Sequence, residues 1–98
     1  MAEVIWTEPA LRTLDLISDY IAVESPDSAK KFARKIWQRV TQLQRFPLSG
    51  SRIPEWPNHS NRQLIIAPYR VIYRISKGKV YILHIAAPGQ RFHPGLLA

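Results

Sequence analysis

The fold of this chain is decided by residues 62–87, which read RQLIIAPYRVIYRISKGKVYILHIAA. Three runs rich in β-branched and aromatic residues are separated by turn residues, Ala67-Pro68 after the first run and Lys77-Gly78 after the second. Proline fixes φ in the first turn, and glycine can supply φ > 0 in the second. The pattern predicts a three-stranded antiparallel meander.

The middle run of this stretch alternates in character, as a strand with two different faces would. One predicted face carries apolar side chains: Tyr69, Val71, Tyr73 and Ile75. Arg70 and Arg74 point the other way, with an expected separation of about 13 Å from the rise per residue of a strand. Alternation alone leaves two interpretations open: an anion-recognition face, or two solvated arginines.

A short strand and two helices are predicted to precede the meander. Val4-Ile5-Trp6 reads as a strand of the same sheet, with Thr7 as a helix N-cap and Pro9 in the first turn. Ser25-Pro26 ends the first helix and starts the second, and so short a joint implies an antiparallel hairpin. The second helix should end at Phe46-Pro47. The predicted fold class is α+β, with one domain spanning all 98 residues.

The charge of the chain is uneven. Its formal net charge is +7, yet all seven acidic residues lie in the first 55 positions. From position 56 onward the chain has basic residues and no acid, so we expect an acidic protein or a polyanion as partner. The absence of cysteine excludes disulfides and fits a cytoplasmic setting. The sequence has neither a signal peptide pattern nor an apolar run of membrane-spanning length.

Catalytic and metal-binding patterns are weak in this sequence. No phosphate-binding glycine loop and no metal-spaced set of histidines or carboxylates occurs, so we expect no metal and no cofactor. His84 is predicted to face the same way as Val80, Ile82 and Ala86, which is typical of a partly buried histidine. The residues therefore favour anion binding over catalysis.

RNA cleavage by 2′-hydroxyl attack would need a base, an acid and cations around the phosphate. His84 or Glu55 could carry the proton. The candidate phosphate-binding or target-binding cations are Arg62, Arg70, Arg74 and Arg91. We expect these guanidinium groups to converge into one patch, with the two helices behind it.

Several segments, in their order and spacing, resemble the ParE/RelE superfamily of toxins from bacterial type II toxin–antitoxin modules. They are Trp6-Thr7-Glu8-Pro9-Ala10, residues 15–22 (DLISDYIA), Ser25-Pro26, Phe46-Pro47 with Gly50, Arg62-Gln63-Leu64 and residues 68–74 (PYRVIYR). The resemblance covers nearly the whole chain. It implies the superfamily fold: a strand, a helical hairpin, then a meander completing one sheet.

The resemblance also implies functions, which differ between two branches. ParE-type toxins poison DNA gyrase and block replication, whereas RelE-type toxins cleave mRNA in the ribosomal A site. Arg70 falls on the strand arginine that RelE-type enzymes place at the scissile phosphate, and Arg91 takes the place of a second one. The chain departs from RelE-type enzymes in having Arg62-Gln63-Leu64 where they carry catalytic lysines, and Phe92 where they carry a late tyrosine. The helical hairpin is more similar to the ParE branch.

The resemblance therefore predicts a ParE-like toxin that inhibits gyrase by binding and is neutralised by a cognate antitoxin in a hetero-oligomer. An acidic or amphipathic antitoxin segment would lie along the helical hairpin and the sheet edge. Two alternatives stay open: a ribosome-dependent, metal-free mRNA endoribonuclease using Arg70, Arg91 and His84, and a non-toxic module that only binds an antitoxin.

Overall fold

The structure is a computed structural model, and it describes residues 1–89. The elements in chain order are β1 (Glu3–Trp6), α1 (Glu8–Glu24), α2 (Pro26–Thr41), a 3₁₀ turn (Gln42–Gln44), β2 (Ser51–Arg52), β3 (Arg62–Ile66), β4 (Tyr69–Ser76) and β5 (Lys79–Ala86). They form an α+β fold with two helices and one mixed sheet, which confirms the predicted class.

The sheet has five strands in the order β1-β5-β4-β3-β2. The antiparallel meander β3-β4-β5 is confirmed, and its second turn has Lys77 and Gly78 at φ 51° and 75°. Positive φ at both turn residues is the geometry of a tight two-residue hairpin. β1 joins one edge, parallel to β5. At the other edge the two-residue strand β2 pairs with β3, and the sequence analysis had not predicted this strand.

The joint between the helices is as short as predicted. Ser25 follows α1 and caps α2, and its hydroxyl accepts a hydrogen bond from the Ser28 N–H at 3.2 Å. α2 ends at Thr41, earlier than predicted, and the 3₁₀ turn carries the chain toward Phe46. Thr7 occupies the N-cap position of α1, but its hydroxyl donates to the Ile82 carbonyl at 2.6 Å. That bond fastens the start of α1 to β5.

Two hydrophobic clusters lie on opposite faces of the sheet. The main core packs the helices on one face; its buried members are Ala10, Ile36, Val40, Leu43, Leu64, Ile66, Val71, Tyr73, Val80, Ile82 and Ile85. On the other face Ile53 and Ile72 form a small buried pair, with Trp56 and Leu83 packed against it. In the described part of the chain, neither helix is long and apolar enough to cross a bilayer.

Candidate functional site

Strand β4 has the two faces that its alternation predicted. Val71 and Tyr73 are buried in the main core, with Tyr69 and Ile75 packed against it. Ile72 belongs to the small cluster on the opposite face. Because side chains alternate along a strand, Arg70 and Arg74 share the face of Ile72. This face, away from the helices, is where the candidate site was predicted.

The guanidinium of Arg70 is already hydrogen-bonded within the protein. Its Nη1 and Nη2 donate to the two carboxylate oxygens of Glu55 at 2.8 and 2.7 Å, a bidentate pair. Nη1 also donates to Gln63 Oε1 at 3.0 Å. The Arg70 and Glu55 side chains are only 21% and 35% exposed. The hydrogen bonds to Glu55 raise the pKa of Arg70 further above its usual value, although burial acts in the opposite direction.

Arg74, four residues after Arg70 on the same face, has a different environment. It is exposed, and its guanidinium carbon lies 4.8 Å from the centroid of the Tyr81 ring. This is cation–π distance, and such contacts at exposed sites contribute about 0.5–1 kcal/mol. The two arginines on this face therefore hold different partners, a carboxylate and an aromatic ring.

Arg62 lies on the other face of the sheet. It pairs directly with Tyr73 across β3 and β4, so its side chain shares the helix-covered side. Its Nη1 donates to the carbonyls of Leu48 and Gly50. The predicted convergence of Arg62 with Arg70 into one patch is thus absent from the described residues, because the register places the two on opposite faces. Arg91 lies outside the described residues.

The predicted orientation of His84 is wrong, because the register of β5 shifts by one residue. Ile82 pairs with Tyr73, whereas His84 pairs with Ile72, so β5 carries one extra residue between these pairs. The shift reverses the alternation, so His84 lies on the face opposite Val80 and Ile82. It still shares a face with Ala86 and is half-buried, as predicted. As a result His84 and Arg70 share one face of the sheet.

The loop of residues 53–61 covers this face, with Trp56 packed on the small cluster as the sequence indicates, but its contact with Arg70 was not predicted. Arg52 Nη1 donates to the His59 carbonyl at 3.1 Å, and the Asn61 N–H donates to His59 Nδ1 at 3.1 Å. The Trp56 and His59 rings stack with centroids 3.5 Å apart. The sequence signal for this contact is a tryptophan beside a carboxylate in a proline-rich stretch, Pro54-Glu55-Trp56-Pro57.

The helices present a separate apolar surface. Leu16, Tyr20 and Val23 recur every three to four residues on α1 and are 63%, 81% and 83% exposed. Beside them a shallow groove of about 300 Å³ opens between the helices and the β3–β4 turn. Phe32 and Tyr69 are among its apolar lining residues, and Lys31 and Lys35 also line it. An apolar stripe beside cations suits an amphipathic, acidic segment.

The described part of the chain has no cluster of side chains that could bind a metal ion. No group of three histidine, aspartate or glutamate side chains between residues 1 and 89 lies close enough together to hold a metal ion. The chemistry of this face is therefore that of guanidinium, carboxylate, imidazole and aromatic groups.

Comparisons with known proteins relate the chain to bacterial toxins. A family model described as "ParE toxin of type II toxin-antitoxin system, parDE" matches residues 4–91. The chain is 41% identical to Y4kP of Sinorhizobium fredii over 76 residues, or 74% of each chain. It is 33% identical to Toxin RelE2 of Caulobacter vibrioides over 86 residues, covering 87% of this chain and 93% of the relative. A chain from the chromosomal ParDE TA system of P. aeruginosa superimposes with a TM-score of 0.76 at 26% identity, covering 90% of this chain and 97% of that one.

Proposed function

The chain belongs to the ParE toxin family of type II toxin–antitoxin systems, and from this premise we propose that it inhibits DNA gyrase by binding it and is neutralised by a cognate antitoxin. It acts in the cytoplasm, without metal or cofactor, and blocks replication. When neutralised, it is held in a hetero-oligomer with its antitoxin.

The proposal of binding rather than cleavage rests on the guanidinium of Arg70, which is already paired with Glu55. A phosphate clamp needs guanidinium donors that are available to the substrate, and Glu55 accepts from both terminal nitrogens of Arg70. A scissile phosphate would have to displace a half-buried carboxylate before any chemistry could begin. Binding to a protein target requires no such exchange.

Neutralisation is supported by the apolar stripe of α1 and the adjoining groove. Exposed apolar side chains of this size are costly to leave in water and typically mark an interaction site. Lys31 and Lys35 beside the groove favour carboxylates on the incoming segment. We infer that an amphipathic antitoxin segment with acidic residues along its rim covers α1 and the groove.

The test is DNA supercoiling by purified gyrase with added toxin, freed from its antitoxin. We expect inhibition at micromolar toxin and its reversal by stoichiometric antitoxin. Supercoiling that is unaffected at micromolar excess would contradict the gyrase target. Expression of the chain alone should arrest growth and replication; harmless expression would favour a non-toxic, antitoxin-binding module.

A ribosome-dependent endoribonuclease is the second candidate, and one observation favours it. The shifted register places His84 on the same face as Arg70 and Glu55, so a proton carrier and a cation lie on one side of the sheet. Codon-phased cuts in mRNA on translating ribosomes, lost in Arg70→Ala, would establish this activity. The assignments of Arg62, Arg74 and Arg91 to phosphate or target binding remain predictions under both functions.

A further inference from the structure

The 53–61 loop has the form of an Ω-loop. Its ends are held together by the pairing of Arg52 with Arg62, and the Trp56 and His59 rings stack on each other within it. Ile53 is fully buried against Ile72 of the sheet beneath it. Compact loops of this kind, held on a rigid sheet, commonly carry binding function.

The Arg70–Glu55 pair fixes this loop in one position. It connects the centre of the sheet to the loop across 15 positions of sequence, with two hydrogen bonds of 2.7–2.8 Å. Partly buried ion pairs add little net stability, because desolvation offsets much of the attraction. The geometric specificity of a bidentate pair is the larger effect, and here it selects one conformation of the loop.

The outer surface of the loop suits a protein better than a nucleic acid. Residues 53–61 contain no lysine or arginine, so the loop itself offers no cation to a phosphate backbone. Its exposed residues are Pro54, Glu55, Pro57, Asn58 and Ser60. They adjoin the half-buried stack of Trp56 on His59. Among these neighbours the only charge is the carboxylate of Glu55, which Arg70 already pairs. Aromatic groups in such surroundings are typical of protein–protein contact surfaces, and the exposed Arg52 at the base of the loop would meet a carboxylate.

We propose that the 53–61 loop is the surface by which this toxin contacts its protein target, and that Arg70 is a positioning residue that holds the loop through Glu55. The partner is a folded protein face that carries carboxylates close to Arg52. This inference rests on the proposed function in one respect, that the chain acts by binding a protein. It divides the molecule into a target face on the loop side of the sheet and an antitoxin face on the helices.

The contact is tested by Asn58→Glu, which adds a carboxylate at an exposed loop position. Gln42→Glu is the matched control, an exposed neutral-to-acid change in the 3₁₀ turn. Three readouts are compared: inhibition of gyrase supercoiling, growth arrest on expression, and affinity for the antitoxin. We expect Asn58→Glu to lose about tenfold or more in potency with unchanged antitoxin affinity, because like charges across an interface repel. Potency equal to that of wild type overturns the proposal.

The positioning role of Arg70 is tested by the variant Arg70→Ala, with Arg12→Ala as the control. The control breaks the exposed Arg12–Glu8 ion pair on α1, whose N–O distance of 2.7 Å equals that of the Arg70–Glu55 pair. Arg70→Ala should lower potency about tenfold, keep antitoxin affinity and speed amide exchange in the loop. The exchanged pair Glu55→Arg with Arg70→Glu should recover potency. Loss of antitoxin affinity in parallel, or no recovery in the exchanged pair, overturns the positioning role.

The outcomes separate this inference from the gyrase proposal. If wild type arrests growth without inhibiting gyrase, gyrase is not the target, and growth arrest still measures the effect of the loop variants. If wild type instead cleaves mRNA and the loop variants cleave it equally well, the loop is not the target face and the inference fails.

Discussion

Tyr73→Phe removes a single oxygen atom from the centre of the sheet. The Tyr73 side chain is fully buried, and its hydroxyl donates to the Pro47 carbonyl at 2.7 Å. The same oxygen accepts from the Gly50 N–H at 3.0 Å. This hydroxyl therefore joins β4 to the segment between the 3₁₀ turn and β2, which has no regular secondary structure of its own.

The expected destabilisation follows from these two bonds. Each intramolecular hydrogen bond contributes about 0.5–1.5 kcal/mol net, and a buried donor left without an acceptor costs about 1–3 kcal/mol. Gly50 is buried, so its N–H cannot turn to bulk water. We expect Tyr73→Phe to lower the free energy of unfolding by about 2–3 kcal/mol. For a domain of this size that corresponds to roughly 10–20 °C in Tm.

Urea unfolding followed by tryptophan fluorescence measures this loss as a lower midpoint with an unchanged slope. Tyr20→Phe is the control, because the Tyr20 side chain is 81% exposed and its hydroxyl lies in solvent. The free energy of unfolding of Tyr20→Phe should lie within about 0.5 kcal/mol of the wild-type value. If Tyr73→Phe also fell within that range, the hydroxyl would contribute nothing measurable and the reasoning would be refuted.

Four further predictions concern stability and binding. Burial raises the pKa of Tyr73 above its usual value of 10, so the unfolded chain loses this proton at a lower pH than the folded chain does. The free energy of unfolding therefore falls as pH rises above 10, and the difference in urea midpoint between wild type and Tyr73→Phe should shrink in that range. Gly50→Ala should cost about 2 kcal/mol or more by the same assay, because a Cβ would lie 2.5 Å from the Gln63 carbonyl oxygen and 2.6 Å from Tyr73 Oη. Ser25→Ala should cost about 1 kcal/mol in thermal unfolding, through the lost cap of α2. Tyr20→Asp should weaken antitoxin binding by about tenfold or more in calorimetry, with an unchanged Tm, because it places a charge in the exposed apolar stripe.

The parts of the fold that local patterns specify were predictable. Alternation and turn residues specify the meander, and Ser25-Pro26 specifies the joint of the helical hairpin. β2 was not predicted because a two-residue strand has no periodicity to detect; it exists because β3 offers an open edge. The prediction for His84 failed for a similar reason. Strand β5 is shifted by one residue against β4, and the alternation of its sequence cannot indicate such a shift.

In the candidate site, too, some features follow from local sequence and others only from tertiary contacts. The shared face of Arg70 and Arg74 follows from the period of a strand, so the sequence alone places it correctly. The contact of Arg70 with Glu55 depends on how the 53–61 loop folds over the sheet. Trp56 beside Glu55 indicates that this loop packs on the domain, but no local pattern specifies which strand residue the carboxylate meets. The face of Arg62 likewise depends on its partner across the sheet, Tyr73.

The three strand arginines show why a motif position alone does not define a function. Each guanidinium has a different partner: backbone carbonyls for Arg62, a carboxylate for Arg70 and an aromatic ring for Arg74. A polyanion could bind Arg70 only by displacing Glu55, which would also release the loop that Glu55 holds. Of the three, Arg74 alone is exposed, and a single cation is too few to hold a phosphate backbone. Within residues 1–89, the 53–61 loop and the apolar stripe of α1 can each bind a partner without breaking an internal bond named above. We therefore expect target and antitoxin to bind on opposite faces of the sheet.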